Sequence, residues 1–215
     1  MGDAIEILVT EHAAIQQAMA VLGRICELAA RGPAADNHAQ RAGQALEFLS
    51  EFADRCHNAK TEQLLFPALA RRGLPSDRGP VAAQLAGHRQ GRQLLDAMTR
   101  TQAAWAAGAR SAGARFSAAA TAYHALMDRI MPAEHDVVFP VADRLLDQVT
   151  QGALAHAFGQ FDAQVLGTAR RVHLSRQLDT LLVDYAPVAG QRTAAANRSA
   201  NTVAPSSRSG VSPTR

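Results

Sequence analysis

Ile5, Leu8, His12, Ile15, Met19, Leu22 and Cys26 follow one another by threes and fours along residues 3–30. That spacing puts them on one stripe of an α-helix, and the stripe must lie against other apolar surface. The pattern recurs four times. Leu46, Leu49, Ala53, His57 and Leu64 can share a face over residues 37–72. Val81, Leu85, His88, Leu95 and Met98 do so over 78–106. Over 112–148 the stripe is Phe116, Ala119, Tyr123, Met127, Ile130, Glu134, Val137, Val141 and Leu145. A fifth stripe runs through Leu154, Phe158, Phe161, Val165, Val172, Leu178 and Leu182 over 152–184. The breakers between them are short: "RGP" at 31–33, "RRGLPSDRGP" at 71–80, and Gly108 with Gly113. Ser76 or Asp77 is placed to cap the third helix.

Long amphipathic helices joined by short turns pack as antiparallel neighbours. The expectation is therefore an all-α, up-down-up-down four-helix bundle over residues 1–150. The additional C-terminal helix, 151–186, packs outside it or extends one end. From Pro187 the chain turns to Ser, Ala, Thr, Arg, Gly and Pro without bulky apolar spacing, which predicts a disordered tail over 187–215. Composition agrees with a helical core: 47% of residues are hydrophobic, and Ala and Leu dominate.

The formal charge is +3 with no basic stripe, so nucleic acid is not an expected partner. Arg170, Arg171, His173 and Arg176 read as a solvated helix face. No secretory pattern and no apolar run of about 18 residues is present, which predicts a soluble, cytoplasmic chain with no membrane contact. Glu6 stands where an N-myristoylation signal wants Ser or Thr. Cys26 and Cys56 lack a CxxC partner and read as small, reduced core residues.

The apolar stripes are not wholly apolar. His12, His57, His88 and Glu134 interrupt four different helices on their inward sides. A buried ionised carboxylate is strongly disfavoured unless something satisfies it. A lone inward His is usually a hydrogen-bonded core residue, but four such groups on four rods share an economical solution, a metal ion. The two halves of the bundle also repeat. Helices one and two carry a His and then "HNAKTEQLLFPAL"; helices three and four carry a His and then "IMPAEHDVVFPVA". Pro67 and Pro140 lack the helix donor and should loosen each rod one turn past the acid.

The blocks "CHNAKTEQLLFPAL" and "AEHDVVFPVADRLL", with "TEHAAI" and "GHRQGR", resemble the hemerythrin-like, or HHE cation-binding, family over about residues 5–146. The resemblance implies a four-helix bundle holding two irons through several His and two bridging carboxylates. Carried onto this chain it implies His12, His57 and His88 as ligands, Glu62 as the bridging acid of the first block, and Glu134 with His135 in the second. Lys60 is expected to face solvent. Ile130 stands where the second block usually opens with His, and Arg92 where some members have a further His, so one iron is an alternative to two. His57 and Glu62 are five residues apart, about 140° round an ideal helix, so a π-like widening is needed to align them.

Around the centre, Phe66 and Phe139 are expected to plug the bundle end, and Tyr123 to reach a bound ligand or pack in the core. His124 should be exposed, and Trp105 should pack near a helix end. His38, His156 and His173 have no partner at ligand spacing. The function implied is a non-haem iron protein that binds or senses O2, NO or peroxide, or handles iron. The alternatives are a di-iron peroxidase or catalase-like oxidoreductase, and a helical interaction module whose metal site has decayed.

Overall fold

The computed structural model describes residues 1–31 and 37–186. The expected tail at 187–215 lies outside the described residues. Among the described residues every regular element is helical. The first rod is α1, Asp3–Arg31. The second begins as α2, His38–Phe48, widens into π turns over Leu49–Asn58 and Thr61–Leu65, and ends as α3, Phe66–Arg71. The third is α4, Gly79–Ala106. The fourth begins as α5, Arg110–Ala133, passes through a π turn at Glu134–Val138, and ends as α6, Phe139–Leu145. Short turns make successive rods antiparallel, with α1 along α2 and α4 along α5, and the remaining sides of the bundle close through α1–α5 and α2–α4. This is the expected four-helix bundle. The cap of α4 differs from expectation: Arg78 takes the capping position and makes no side-chain bond there.

The C-terminal segment is not one helix. It is α7, Gln148–Val165, and α8, Gly167–Asp184, hinged where Gly167 adopts φ +69°. Asp147 starts α7 by accepting a hydrogen bond from the Thr150 amide at 2.8 Å. Helix α7 packs on α1 and on the wide turns of the second rod, and α8 packs on α2 and α1. The buried stripe of α8 is Leu174, Leu178 and Leu181, while Val172 is exposed. Nor is the start of α8 a solvated face. Arg170 grips both oxygens of Glu51 and one of Glu47, and Arg171 binds Asp162; only His173 and Arg176 look outward. A side chain at Gly167 would find open space but an unfavourable left-handed backbone. Gly167→Ala should therefore cost about 1–2 kcal/mol and lower the melting temperature by a few degrees, read by calorimetry.

The π turns explain a second departure. Those at Thr61–Leu65 and Glu134–Val138 each take up an extra residue, so the buried stripe beyond them moves on by one. In the second rod Leu65 is buried where Leu64 was expected. In the fourth rod Val138, Ala142 and Leu146 are buried, one residue after the expected Val137, Val141 and Leu145, and Val137 is 46% exposed. Two of these turns directly precede Pro67 and Pro140, which cannot donate the helical bond.

The apolar core falls into two clusters. One surrounds Leu22, Leu49, Phe116 and Met127; the other surrounds Ile5, Leu69, Phe139 and Phe158. Trp105 packs on Phe116 against the first, as expected. Between the clusters runs a buried polar layer, Glu11, His12, His57, Lys60, Thr61, Gln84, His88 and Glu134, drawn from all four rods at one depth.

Candidate metal centre

The polar layer has a focus. His12 Nε2 lies 3.1 Å from His57 Nε2 and 3.3 Å from Glu134 Oε2. Two nitrogens bound to one ion at roughly 2.0–2.1 Å, at right or tetrahedral angles, stand about 2.8–3.4 Å apart. These three side chains have ligand atoms within 4.8 Å of one another, and each is buried. His88 lines the same small space with Ile15, Met127, Ile130 and Tyr123. The space holds about 10 Å³, near the size of one water or ion.

Two imidazoles are held by carboxylates. His57 Nδ1–H donates to Glu11 Oε2 at 2.8 Å, and His88 Nδ1–H donates to Glu62 Oε1 at 2.9 Å. Those bonds leave the lone pair of each ring on Nε2, the atom turned to a metal when the other nitrogen is so engaged. A cation holds each carboxylate in turn. Lys60 Nζ donates to Glu11 Oε1 at 2.6 Å, and Arg92 donates to Glu62 Oε1 at 2.7 Å and to Asp54 Oδ1 at 2.8 Å. The two halves of the bundle thus repeat a triplet of cation, carboxylate and imidazole. A phenyl ring from each Phe-Pro block backs the imidazoles: Phe66 stacks on His88 and Phe139 packs on His12.

Burial alone would push the Glu134 carboxyl up, but His12, His57 and His88 together bring it below its usual value, so it is ionised at neutral pH. One of its oxygens, Oε1, has no hydrogen-bond partner among the described residues. Burial lowers the His12 pKa against the opposing pull of Glu134, so His12 is neutral and able to ligate. Burial also raises the Glu11 carboxyl, but His57 and Lys60 outweigh it and hold the group below its ordinary range. An ionised carboxylate with an orphan oxygen, facing two imidazole nitrogens, fits one bound cation.

The structure brings together His12, His57, His88 and Glu134, with Tyr123 and Ile130 beside them. It does not bring Glu62 to the cavity. Thr61, four residues after His57, takes the inward position and bonds the Asn58 carbonyl at 2.8 Å, while Glu62 turns toward α4. His135 also stays away: its side chain is 52% exposed and its Nδ1 pairs with Asp136. Lys60 corrects an expectation outright, since it is fully buried rather than facing solvent. His124 is exposed, as expected, beside Asp128.

Glu11, Asp54, Gln84 and Asp162 were not singled out in the sequence. Glu11 had a signal, because it lies three residues after Leu8 and four before Ile15 on the inward stripe. Asp162 had a signal, because it follows the core residue Phe158 by four. Gln84 spans to the Ile130 carbonyl at 2.9 Å and ties α4 to the wall of the cavity.

The profile of the family described as hemerythrin HHE cation binding domain matches residues 3–142. The chain belongs to that family. No curated protein and no solved structure matches it. The match ends within α6, so the hemerythrin-type domain supplies the cavity, and α7 and α8 are additions to it. The chain is accordingly a cation-binding protein of hemerythrin type. None of its described helices is long and apolar enough to cross a membrane.

Proposed function

We propose that this hemerythrin-type chain holds one iron ion through His12, His57, His88 and Glu134, and that its function is to bind or sense a small ligand such as O2, NO or peroxide. The observation that carries the single-ion reading is the convergence of two imidazole nitrogens on a buried carboxylate with an unpartnered oxygen. Against a second ion stand Ile130, which presses on Gly87 in the cavity wall, and Arg92, whose guanidinium already neutralises Glu62 and Asp54. A bound iron supplies redox chemistry and coordination positions that the protein leaves open.

The chain's own residues do the rest. Glu11 and Glu62 fix the tautomers of His57 and His88. Ile15, Met127, Ile130 and Met131 line the cavity with apolar groups and exclude water from it. Tyr123 is buried beside them, and burial together with Asp54 raises its pKa, so its hydroxyl keeps its proton and can donate to a small ligand.

Metal analysis after anaerobic iron loading should find close to one iron per chain. His57→Ala and His88→Ala should lose most of it, whereas His38→Ala and His156→Ala should retain it. Two irons per chain would refute the single-ion assignment. Equal iron in all four variants would refute the ligand set, and a protein that takes up no iron would leave only a helical scaffold.

A further inference from the structure

Helix α7 lies outside the region matched by the family, yet it sends a carboxylate toward the centre. Asp162 Oδ1 accepts from Lys60 Nζ at 2.7 Å and from the Cys56 thiol at 3.0 Å. Its other oxygen binds the Arg171 guanidinium from α8. Lys60 in turn donates to Glu11, and Glu11 receives the His57 Nδ1 proton. An unbroken chain of charge-assisted bonds therefore runs Arg171, Asp162, Lys60, Glu11, His57, its first four members alternating in sign from the C-terminal helices toward the cavity.

The counterpart on the other side is built differently. His88, Glu62, Arg92 and Asp54 all come from the matched domain, and Arg92 and Glu62 are 35% and 22% exposed at the side chain. On the His57 side, Lys60 is 0% and Glu11 3% exposed, and Asp162 is 12% exposed. Water can restore a lost charge partner around Arg92 but not around Lys60.

We propose that Asp162 is a positioning residue of the cation centre, acting through Lys60 and Glu11 to hold His57 with its Nε2 lone pair facing the cavity. This rests on the reading of that cavity as a single-cation site. Lys60 has two carboxylates to satisfy it. With Asp162 present, Glu11 gives Lys60 one oxygen and keeps the other for His57. Without Asp162, a dry ammonium has Glu11 as its one remaining close carboxylate, and Glu11 must turn both oxygens toward it. The ring of His57 then loses the acceptor that fixes its tautomer. Outer carboxylates of this kind typically govern metal affinity by ten- to a hundred-fold. The added helices α7 and α8 thereby become part of the centre rather than a surface extension.

The test compares full-length wild type, Asp162→Asn, Asp162→Glu and Arg171→Ala by two readouts. One is titration with Co(II), followed by its visible ligand-field bands. The other is the nitrogen NMR signature of the His57 ring in metal-free protein, which distinguishes the Nδ1–H tautomer. Asp162→Asn should weaken Co(II) binding roughly ten- to a hundred-fold, shift its bands, and lose the Nδ1–H preference. Asp162→Glu should recover part of both, and Arg171→Ala, at the exposed end of the chain of bonds, should show a smaller loss in the same direction.

A variant with a lower melting temperature but unchanged Co(II) affinity and unchanged His57 tautomer would overturn the proposal, because a merely structural Asp162 predicts that result. Should Asp162→Asn fail to fold, Arg171→Ala decides by the same two readouts. Wild type that takes up no Co(II) would overturn the single-cation reading, while the tautomer in the metal-free variants would still decide the role of Asp162.

Discussion

Replacing Lys60 by Met should lower stability by about 3–5 kcal/mol, the cost expected when one partner is removed from a buried ion pair. For a folded unit of this size that is a fall in melting temperature of roughly 6–20 °C. The magnitude follows from what remains. Lys60 is wholly buried, and its ammonium sits between Glu11 and Asp162 at 2.6 and 2.7 Å. Burial on its own would lower the Lys60 pKa, but the two carboxylates overcome it and keep the group charged. Met fills similar space and leaves Glu11 without its ammonium, its nearest other guanidinium being that of Arg171 at 3.9 Å, while Asp162 keeps its bond to Arg171. Glu11 then loses the Lys60 charge that helps hold its pKa down, so the deficit should shrink as the pH falls below neutral and a proton replaces the ammonium. Chemical denaturation at neutral and mildly acidic pH measures both effects. A loss below about 1 kcal/mol, the range of surface pairs, would show that Lys60 reaches water in solution.

The bundle was legible because its stripes are long and its breakers are strong. Ile5 to Cys26 could lie on little other than a helix, and the turns around Gly73, Pro75 and Gly108 fell where the rods end. The site was legible in part, for a related reason. His12, His57, His88 and Glu134 lie on apolar stripes, and a polar group on such a stripe announces itself. Glu11 and Lys60 lie on the same inward faces, Glu11 three after Leu8 and four before Ile15, Lys60 three after His57 and four before Leu64, but a long charged side chain at such a position can also reach solvent. Only the packing of α7 against α1 and the second rod encloses them, and that packing is non-local.

The errors past each acid share one cause. The expected apolar stripes keep ideal-helix register through "TEQLLFP" and "EHDVVFP", where the chain widens. That register placed Leu64 and Val137 inside instead of Leu65 and Val138. A widening was expected on account of Glu62, to align it with His57. The chain does widen there, but Glu62 serves His88 from behind, and the inward place falls to Thr61. The single break missed in the C-terminal segment, at Gly167, lay in an otherwise continuous helical pattern, where one Gly is tolerated as often as it is used to turn.

Glu134→Met should separate binding from stability, raising the melting temperature of the metal-free protein while abolishing its gain from added cation. The carboxylate of Glu134 is 2% exposed, ionised, and has one oxygen without a partner. Without a cation it is a buried carboxylate with one oxygen that nothing satisfies, a desolvation cost that a well-packed apolar side chain of similar size does not carry. His12 keeps a partner in the exchange, because its Nε2–H can still donate to His57 Nε2 at 3.1 Å. With cation present the order should reverse. A ligand at a hundred times its dissociation constant stabilises the wild type by about 2.7 kcal/mol, and the variant, short of the one carboxylate that faces the cavity, gains little of it. Thermal melts with and without Fe(II) should therefore cross: variant above wild type when metal-free, wild type above variant when loaded. Parallel melts, with Glu134→Met less stable in both conditions and equally responsive to iron, would mean that Glu134 is a structural acceptor for His12 and that the cation binds elsewhere. A crossing would show that the polar layer is kept in the bundle at a cost to the empty fold, which bound metal offsets.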